Sequence, residues 1–199
     1  MKKIVSLLIG IIVFLTITGC TVVRIDTSSI DNIVDVILSK DNSLYNHIGK
    51  GYKYYIPRGV TYIDTIEFND KLYSNGNYYY LYIDAIGYLY QKDGTYEHKD
   101  YYYHKDIDIN GKKGYINIEK VDDRYLIDFM YNYAHMESLV YEKDINNVIL
   151  NSSYMLSTVK FNNNVIKIML NEDYFKYKEE KFELFKNEET TENLLEYNE

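Results

Sequence analysis

The chain has 199 residues and a formal net charge of −8 at pH 7, with 25 tyrosines, one cysteine, one proline and no tryptophan. An acidic balance without a basic patch argues against a nucleic-acid partner. A lone cysteine excludes an intramolecular disulfide, so the folded part must be held by its core, and this length suffices for one domain with a sizeable core.

The N-terminus reads Met1-Lys2-Lys3, then an apolar run from Ile4 to Ile17, then Thr18-Gly19-Cys20. A basic start, a short apolar stretch and small residues before a cut site predict a secretory signal over residues 1–19. The stretch is short for a spanning helix, which needs about 20 apolar residues. Ile17-Thr18-Gly19-Cys20 resembles the bacterial lipobox. That resemblance implies lipidation of Cys20 on its sulfur and cleavage just before it, giving a lipid-anchored protein on the extracytoplasmic face of a cell membrane. An uncleaved anchor would also leave the chain tethered. Two acyl chains hold a protein stably where one is reversible, and no polybasic segment after Cys20 adds a second hold on anionic lipid. A composition rich in Asn, Ile, Lys and Tyr is associated with low genomic G+C and favours a Gram-positive envelope.

Residues 20–28 read as a tether. Ser29 to Leu44 predicts a helix, with Ile30, Ile33, Val34, Ile37 and Leu38 at helical spacing and Asp31 in the first turn. Asn46 to Gly51 breaks it. From Tyr52 to Val140 the period becomes two, and Asn75-Gly76, Asp93-Gly94 and Asn110-Gly111 each sit between strand-forming runs, a strong hairpin signal. Asp122-Asp123 is a weaker fourth turn. Tyr78–Tyr90 reads as one strand, with Tyr79, Leu81, Ile83, Ala85, Gly87 and Leu89 on an apolar face and Tyr78, Tyr80 and Tyr82 on a tyrosine face. Tyr125–Val140 reads as another. A second helix is expected from Glu142 to Lys160, ended by Asn162-Asn163-Asn164. Val165–Leu170 is short and apolar, Tyr174–Phe185 leans to helix, and residues 187–199 form an acidic tail. The expectation is a single domain over residues 29–186 of class α+β: an antiparallel β-meander sheet with an N-terminal helix and a long C-terminal helix packed on it.

A second resemblance rests on Gly51-Tyr52-Lys53-Tyr54-Tyr55-Ile56-Pro57-Arg58-Gly59-Val60, an aromatic strand entering a Pro-x-Gly turn, and on a helix ending Leu156-Ser157-Thr158-Val159-Lys160-Phe161. With the element order, these are similar to the PsbP-like fold of small bacterial lipoproteins, with Val60 where an aromatic is common. The resemblance implies a role in binding or assembly and no catalytic residues.

Asp106-Ile107-Asp108-Ile109-Asn110-Gly111 matches the first half of a calcium loop, making Asp106, Asp108 and Asn110 metal candidates. The twelfth position is Asn117 rather than Glu, and the flanks read as strands. A plain hairpin at Asn110-Gly111 instead pairs Asp108 with Lys113, Asp106 with Tyr115 and His104 with Asn117. That face also carries His104, Asp106 and Glu119, a set able to bind metal or a proton. With Cys20 committed to lipid no thiol nucleophile remains, no nucleophile-elbow, metalloprotease-helix or phosphate-loop pattern occurs, and no cofactor is indicated. Tyrosine offers contact area at low entropic cost, so Tyr78, Tyr80 and Tyr82 are either a binding strip or core. The leading expectation is a non-enzymatic binding or assembly module with an envelope protein or cell-wall partner. The alternative is a metal-assisted envelope hydrolase using His104, Asp106 and Glu119.

Overall fold

In the computed structural model, residues 25–66, 69–92, 96 and 98–171 are described. The expected signal, Cys20, the Asp93-Gly94 turn, the Tyr174–Phe185 segment and the acidic tail lie outside them.

Helix α1 (Ile30–Leu38) starts where Ser29 accepts a hydrogen bond from the Asn32 backbone N–H at 3.3 Å. It ends at Leu38, not at Leu44. The segment Ser39-Lys40-Asp41-Asn42-Ser43 offers no apolar side chain to bury, and the Asn42 carboxamide accepts from the Leu44 N–H at 3.0 Å, turning the chain away. Strands β1 (His47–Ile48) and β2 (Tyr52–Tyr54) form a small hairpin around Gly51, whose φ of 84° suits glycine.

Seven strands follow in the main sheet: β3 (Thr61–Ile66), β4 (Asn69–Ser74), β5 (Asn77–Ile83), β6 (Tyr103–Ile109), β7 (Lys112–Val121), β8 (Arg124–Tyr131) and β9 (Ala134–Val140). All neighbours are antiparallel, in the order β3-β4-β5-β9-β8-β7-β6. The Asn75-Gly76 and Asn110-Gly111 turns have positive φ at both residues, which is what a two-residue hairpin needs.

Two expected long strands are each broken. The strand from Tyr78 stops at Ile83, and Ala85–Tyr90 is a helix, α2. Asp84 caps it by accepting from the Gly87 N–H at 2.7 Å. Only glycine allows this approach, since a Cβ at residue 87 would lie 2.1 Å from the Asp84 carboxylate. The strand expected over Tyr125–Val140 folds back at Asn132 and Tyr133, with φ of 51° and 64°. The Asn132 N–H donates to the Lys113 carbonyl and the Tyr133 carbonyl accepts from the Asp84 N–H, each at 2.9 Å. Tertiary hydrogen bonds thus hold a turn that carries no glycine.

The C-terminal helix α3 (Ile145–Ser157) follows a single 3₁₀ turn, Glu142–Asp144. It is shorter than expected. Thr158 turns its hydroxyl back to the Met155 carbonyl at 2.8 Å, and Lys160–Phe161 become strand β10 beside β2. Asn162 does not merely end a helix. Its carboxamide accepts from the N–H groups of Asn164 and Val165 and opens helix α4 (Asn163–Asn171), which takes in the short apolar run.

Helix α3 packs on β8 and β9, and α1 packs on α3. This inner layer buries Ile33, Val34, Val148, Ile149 and Met155 against Tyr79, Leu81, Ile116, Ile118, Ile127, Phe129 and Met136. Each fully buried aliphatic side chain contributes roughly 1.5–3 kcal/mol. On the inner side of β6, Lys105 reaches Asp31 and Asp35 of α1 at 2.8 and 2.9 Å. The architecture is therefore α+β, a seven-strand antiparallel meander with its N- and C-terminal helices packed together. Among the described residues no helix is long and apolar enough to cross a membrane.

Candidate functional site

Alternation along the strands sends every second side chain to the face opposite the helices. Register then aligns these side chains in two rows across the sheet. The first runs Lys71, Tyr80, Glu137, Asp128, Asn117, His104 over β4, β5, β9, β8, β7 and β6. The second runs Asn69, Tyr82, His135, Met130, Tyr115, Asp106 over the same strands. A band of aromatic, imidazole and carboxylate groups therefore crosses the outer face, at right angles to the chain direction.

The two ends of the band differ. At the β5 end Tyr78 is 44% exposed, while Tyr80 and Tyr82 are half-buried. Toward β6 and β7, Tyr96 from the connection after α2 lies over the sheet, its ring centroid 4.7 Å from that of Tyr115 and 5.0 Å from that of His104. Tyr115, Asn117 and Met130 are buried although they face away from the helices.

The polar contacts form a chain. The Tyr96 hydroxyl donates to Asp106 at 2.8 Å and stands 3.2 Å from His104 Nε2. His104 Nδ1 lies 2.7 Å from Asn117 Oδ1; the amide oxygen is an acceptor, so the ring donates. Tyr101 stacks on His104. In the centre, His135 Nδ1 lies 3.4 Å from Asp128 Oδ1, and the His135 ring meets Tyr82 and Tyr115 edge-on. Burial, and then the charge of Asp128 to which it donates, push the Tyr115 hydroxyl well above the usual phenol range, so it stays a donor. Among the described residues, two buried atoms here have no hydrogen-bond partner, Asn117 Nδ2 and Asp128 Oδ1, although His135 Nδ1 stands beside the latter.

The residues singled out from sequence scatter within this face. His104 and Asp106 come together, with Nε2 to Oδ2 at 3.6 Å. Glu119 turns instead to Lys99. Asp108 stands opposite Lys113, as the hairpin register requires, and Asn110 donates to the Ser39 carbonyl at 3.3 Å. Asp106, Asp108 and Asn110 thus lie in a hairpin and turn to three different partners, Tyr96, Lys113 and Ser39. Among the described residues no three His, Cys, Asp or Glu side chains gather in a way that could hold a metal ion. The hairpin count places Tyr115 and Asn117 opposite Asp106 and His104; Asp128, His135 and Glu137 were not singled out, although extending the register through Asp122-Asp123 would have placed Asp128.

A second polar cluster lies at the junction of the two sheets. Asp70 is fully buried and accepts from the hydroxyls of Tyr52 at 2.8 Å, Tyr54 at 3.0 Å and Thr65 at 2.6 Å, with His47 Nε2 at 3.5 Å. Burial, then the charge of Asp70, holds both tyrosine hydroxyls far above their ordinary range. On the far side of the small sheet an open groove of about 950 Å³ is lined in part by Tyr45, Lys50, Lys53, Lys160 and Phe161, and Lys53 places its ammonium 3.9 Å from the Tyr45 ring centroid.

Compared with family models, with curated proteins and with solved structures, the chain matches none.

Proposed function

We propose that this protein is a lipid-anchored, extracytoplasmic binding module that holds an envelope ligand on the outer face of its sheet and performs no chemistry on it. The observation that carries the reading is the band itself: six strands align tyrosine, histidine, asparagine and carboxylate side chains on the face that neither α1 nor α3 covers. Tyrosines at the open end supply contact area at little entropic cost, and the carboxylates and imidazoles supply direction. The hydrolase alternative draws less support, because Glu119 turns to Lys99 rather than to His104 and Asp106. The lipobox-like Ile17-Thr18-Gly19-Cys20 supports the anchor, and two acyl chains suffice for it.

In cells, the full chain carrying a photo-crosslinking residue at position 78 should capture an envelope component. The triple change Tyr78→Ser, Tyr80→Ser and Tyr82→Ser should abolish capture by a crosslinker moved to position 73 while leaving cooperative unfolding intact. Capture that survives the triple change would sink the reading. Cys20→Ala should leave the protein unlipidated, seen as unprocessed precursor or as release from the membrane fraction.

A further inference from the structure

Beyond the outer face of the main sheet, we propose a second binding site: the groove on the far side of the small sheet takes an anionic chain whose phosphodiester groups are joined by polyol or sugar units. The groove runs against the charge of the molecule. The chain carries −8 overall, yet among the described residues the groove is lined by three lysines, Lys50, Lys53 and Lys160, and by no aspartate or glutamate. A concave surface of one sign concentrates ions of the other.

Strand register brings the lysines together. The row across the small sheet reads Ile48, Lys53, Lys160. Lys53 and Lys160 are directly opposite each other on β2 and β10, where like charges repel. Lys112 stands close enough to feel the same field: burial, and then the charge of Lys160, hold its ammonium below the usual lysine range. Against these charges stands Asp41, 3.5 Å from Lys160 Nζ, with a side chain 87% exposed. A pair so exposed contributes little. Asp70 lies behind the small sheet, and its charge is taken up by three hydroxyls. An anion lodged between Lys53 and Lys160 turns their repulsion into attraction.

Shape and lining narrow the anion. A groove of about 950 Å³ holds more than one phosphate group. Tyr45, half exposed, and Phe161 present ring surface beside the lysines, which suits the CH faces of a polyol or sugar. The first turn of α4 adds Asn163 and Asn164, exposed carboxamides able to meet hydroxyl groups, and its N-terminus adds positive potential. The cations are lysines and not arginines. A planar carboxylate gains from a guanidinium fork, whereas a phosphate oxygen is met by a point charge. Lys53 is half-buried in the trough, beside Tyr45, so a planar lipid surface would meet only the rim.

The test is calorimetric titration of the full chain in neutral-lipid nanodiscs with three probes: a glycerol phosphodiester hexamer, hexaglutamate and uncharged hexaglycerol. The phosphodiester hexamer should bind at least about tenfold more tightly than hexaglutamate, and hexaglycerol should give no heat. Lys53→Gln with Lys160→Gln should weaken the hexamer by at least about tenfold without lowering the unfolding midpoint, because two opposed charges are removed. Lys120→Gln with Lys143→Gln, an equal charge change at exposed positions outside the groove, should leave binding unchanged. If the first pair fails to fold, Lys50→Gln, at an exposed position, decides by the same loss of affinity. No binding of the hexamer, equal binding of hexaglutamate, or an equal loss in the Lys120 and Lys143 variant would overturn the proposal. Two further outcomes would assign the groove to another occupant and overturn it as well. One is loss of hexamer binding when phosphatidylglycerol is added to the nanodiscs. The other is a gain of at least about tenfold when Glu188, Glu189 and Glu192 are changed to Gln. The Tyr78→Ser, Tyr80→Ser and Tyr82→Ser variant should bind the hexamer as the parent does, so failure of the outer face and failure of the groove are read separately.

Discussion

Asp70 and Asp128 are both aspartates set among tyrosines on one sheet, on β4 and β8 with β5 and β9 between them, and they are treated differently. Asp70 is wholly buried and saturated: three hydroxyls from β2 and β3 point at it and His47 closes the fourth side. Asp128 is partly open, takes one hydroxyl, that of Tyr115, has His135 Nδ1 at 3.4 Å, and faces another carboxylate. A buried charge is tolerable only when its lone pairs are filled, so the first arrangement is what a structural joint requires. The small sheet is riveted to the large one through that carboxylate. The second arrangement has fewer hydroxyl donors and more contact with solvent.

This contrast can be broken most easily at Asp70. Asp70→Ala leaves Tyr52, Tyr54 and Thr65 with buried hydroxyls that have lost their acceptor. Removing one partner from a buried charged network costs about 3–5 kcal/mol, and denaturant unfolding of the variant should show a loss of that size. A loss below about 1 kcal/mol would mean that the junction is held by packing alone.

Asp128→Asn should behave differently under the same measurement. It removes a charge that repels Glu137 and keeps an oxygen for the Tyr115 hydroxyl. The expected change in unfolding free energy is less than about 1 kcal/mol, because relief of the repulsion between directly opposite like charges is of that order and offsets the weaker contacts to Tyr115 and His135. A destabilisation as large as that of Asp70→Ala would erase the distinction between joint and site.

The sheet was largely legible because Asn75-Gly76 and Asn110-Gly111 are turns whose backbone demands those residues. From the second, counting alone gives His104 opposite Asn117 and Asp106 opposite Tyr115. The band was not legible beyond β8, since reaching Glu137 and His135 requires the turn at Asn132 and Tyr133. That turn is stabilised from outside, by Lys113 and Asp84, and leaves no glycine as a signal. Asp84 had a related effect: an alternating pattern runs through Tyr78–Tyr90, but a cap at Asp84 and a close-packed Gly87 convert its second half to helix. The Asp70 joint was invisible for a simpler reason. It depends on a contact between Asp70 and strand β2, which neither periodicity nor turn counting brings together.

A third carboxylate separates the effect of having a partner from that of being buried. Asp31 is exposed, as Asp128 is not fully, but Lys105 donates to it at 2.8 Å and holds its carboxyl below the usual range, with Tyr103 adding a hydrogen bond. A carboxyl lowered in the folded state adds stability above its unfolded pKa and loses that contribution as pH falls through the folded value. Asp31→Asn should therefore be less stable than the parent at pH 7, and the gap should close as pH is lowered below about 4, the ordinary carboxylate range. Exposure limits the gap to about 0.3–0.5 kcal/mol, the smallest effect expected among the three aspartates. A gap that stayed constant over that range would show that the Lys105 bond is unaffected by protonation of Asp31. Partnering would then not distinguish Asp31 from Asp128, and the comparison between aspartates would rest on burial alone.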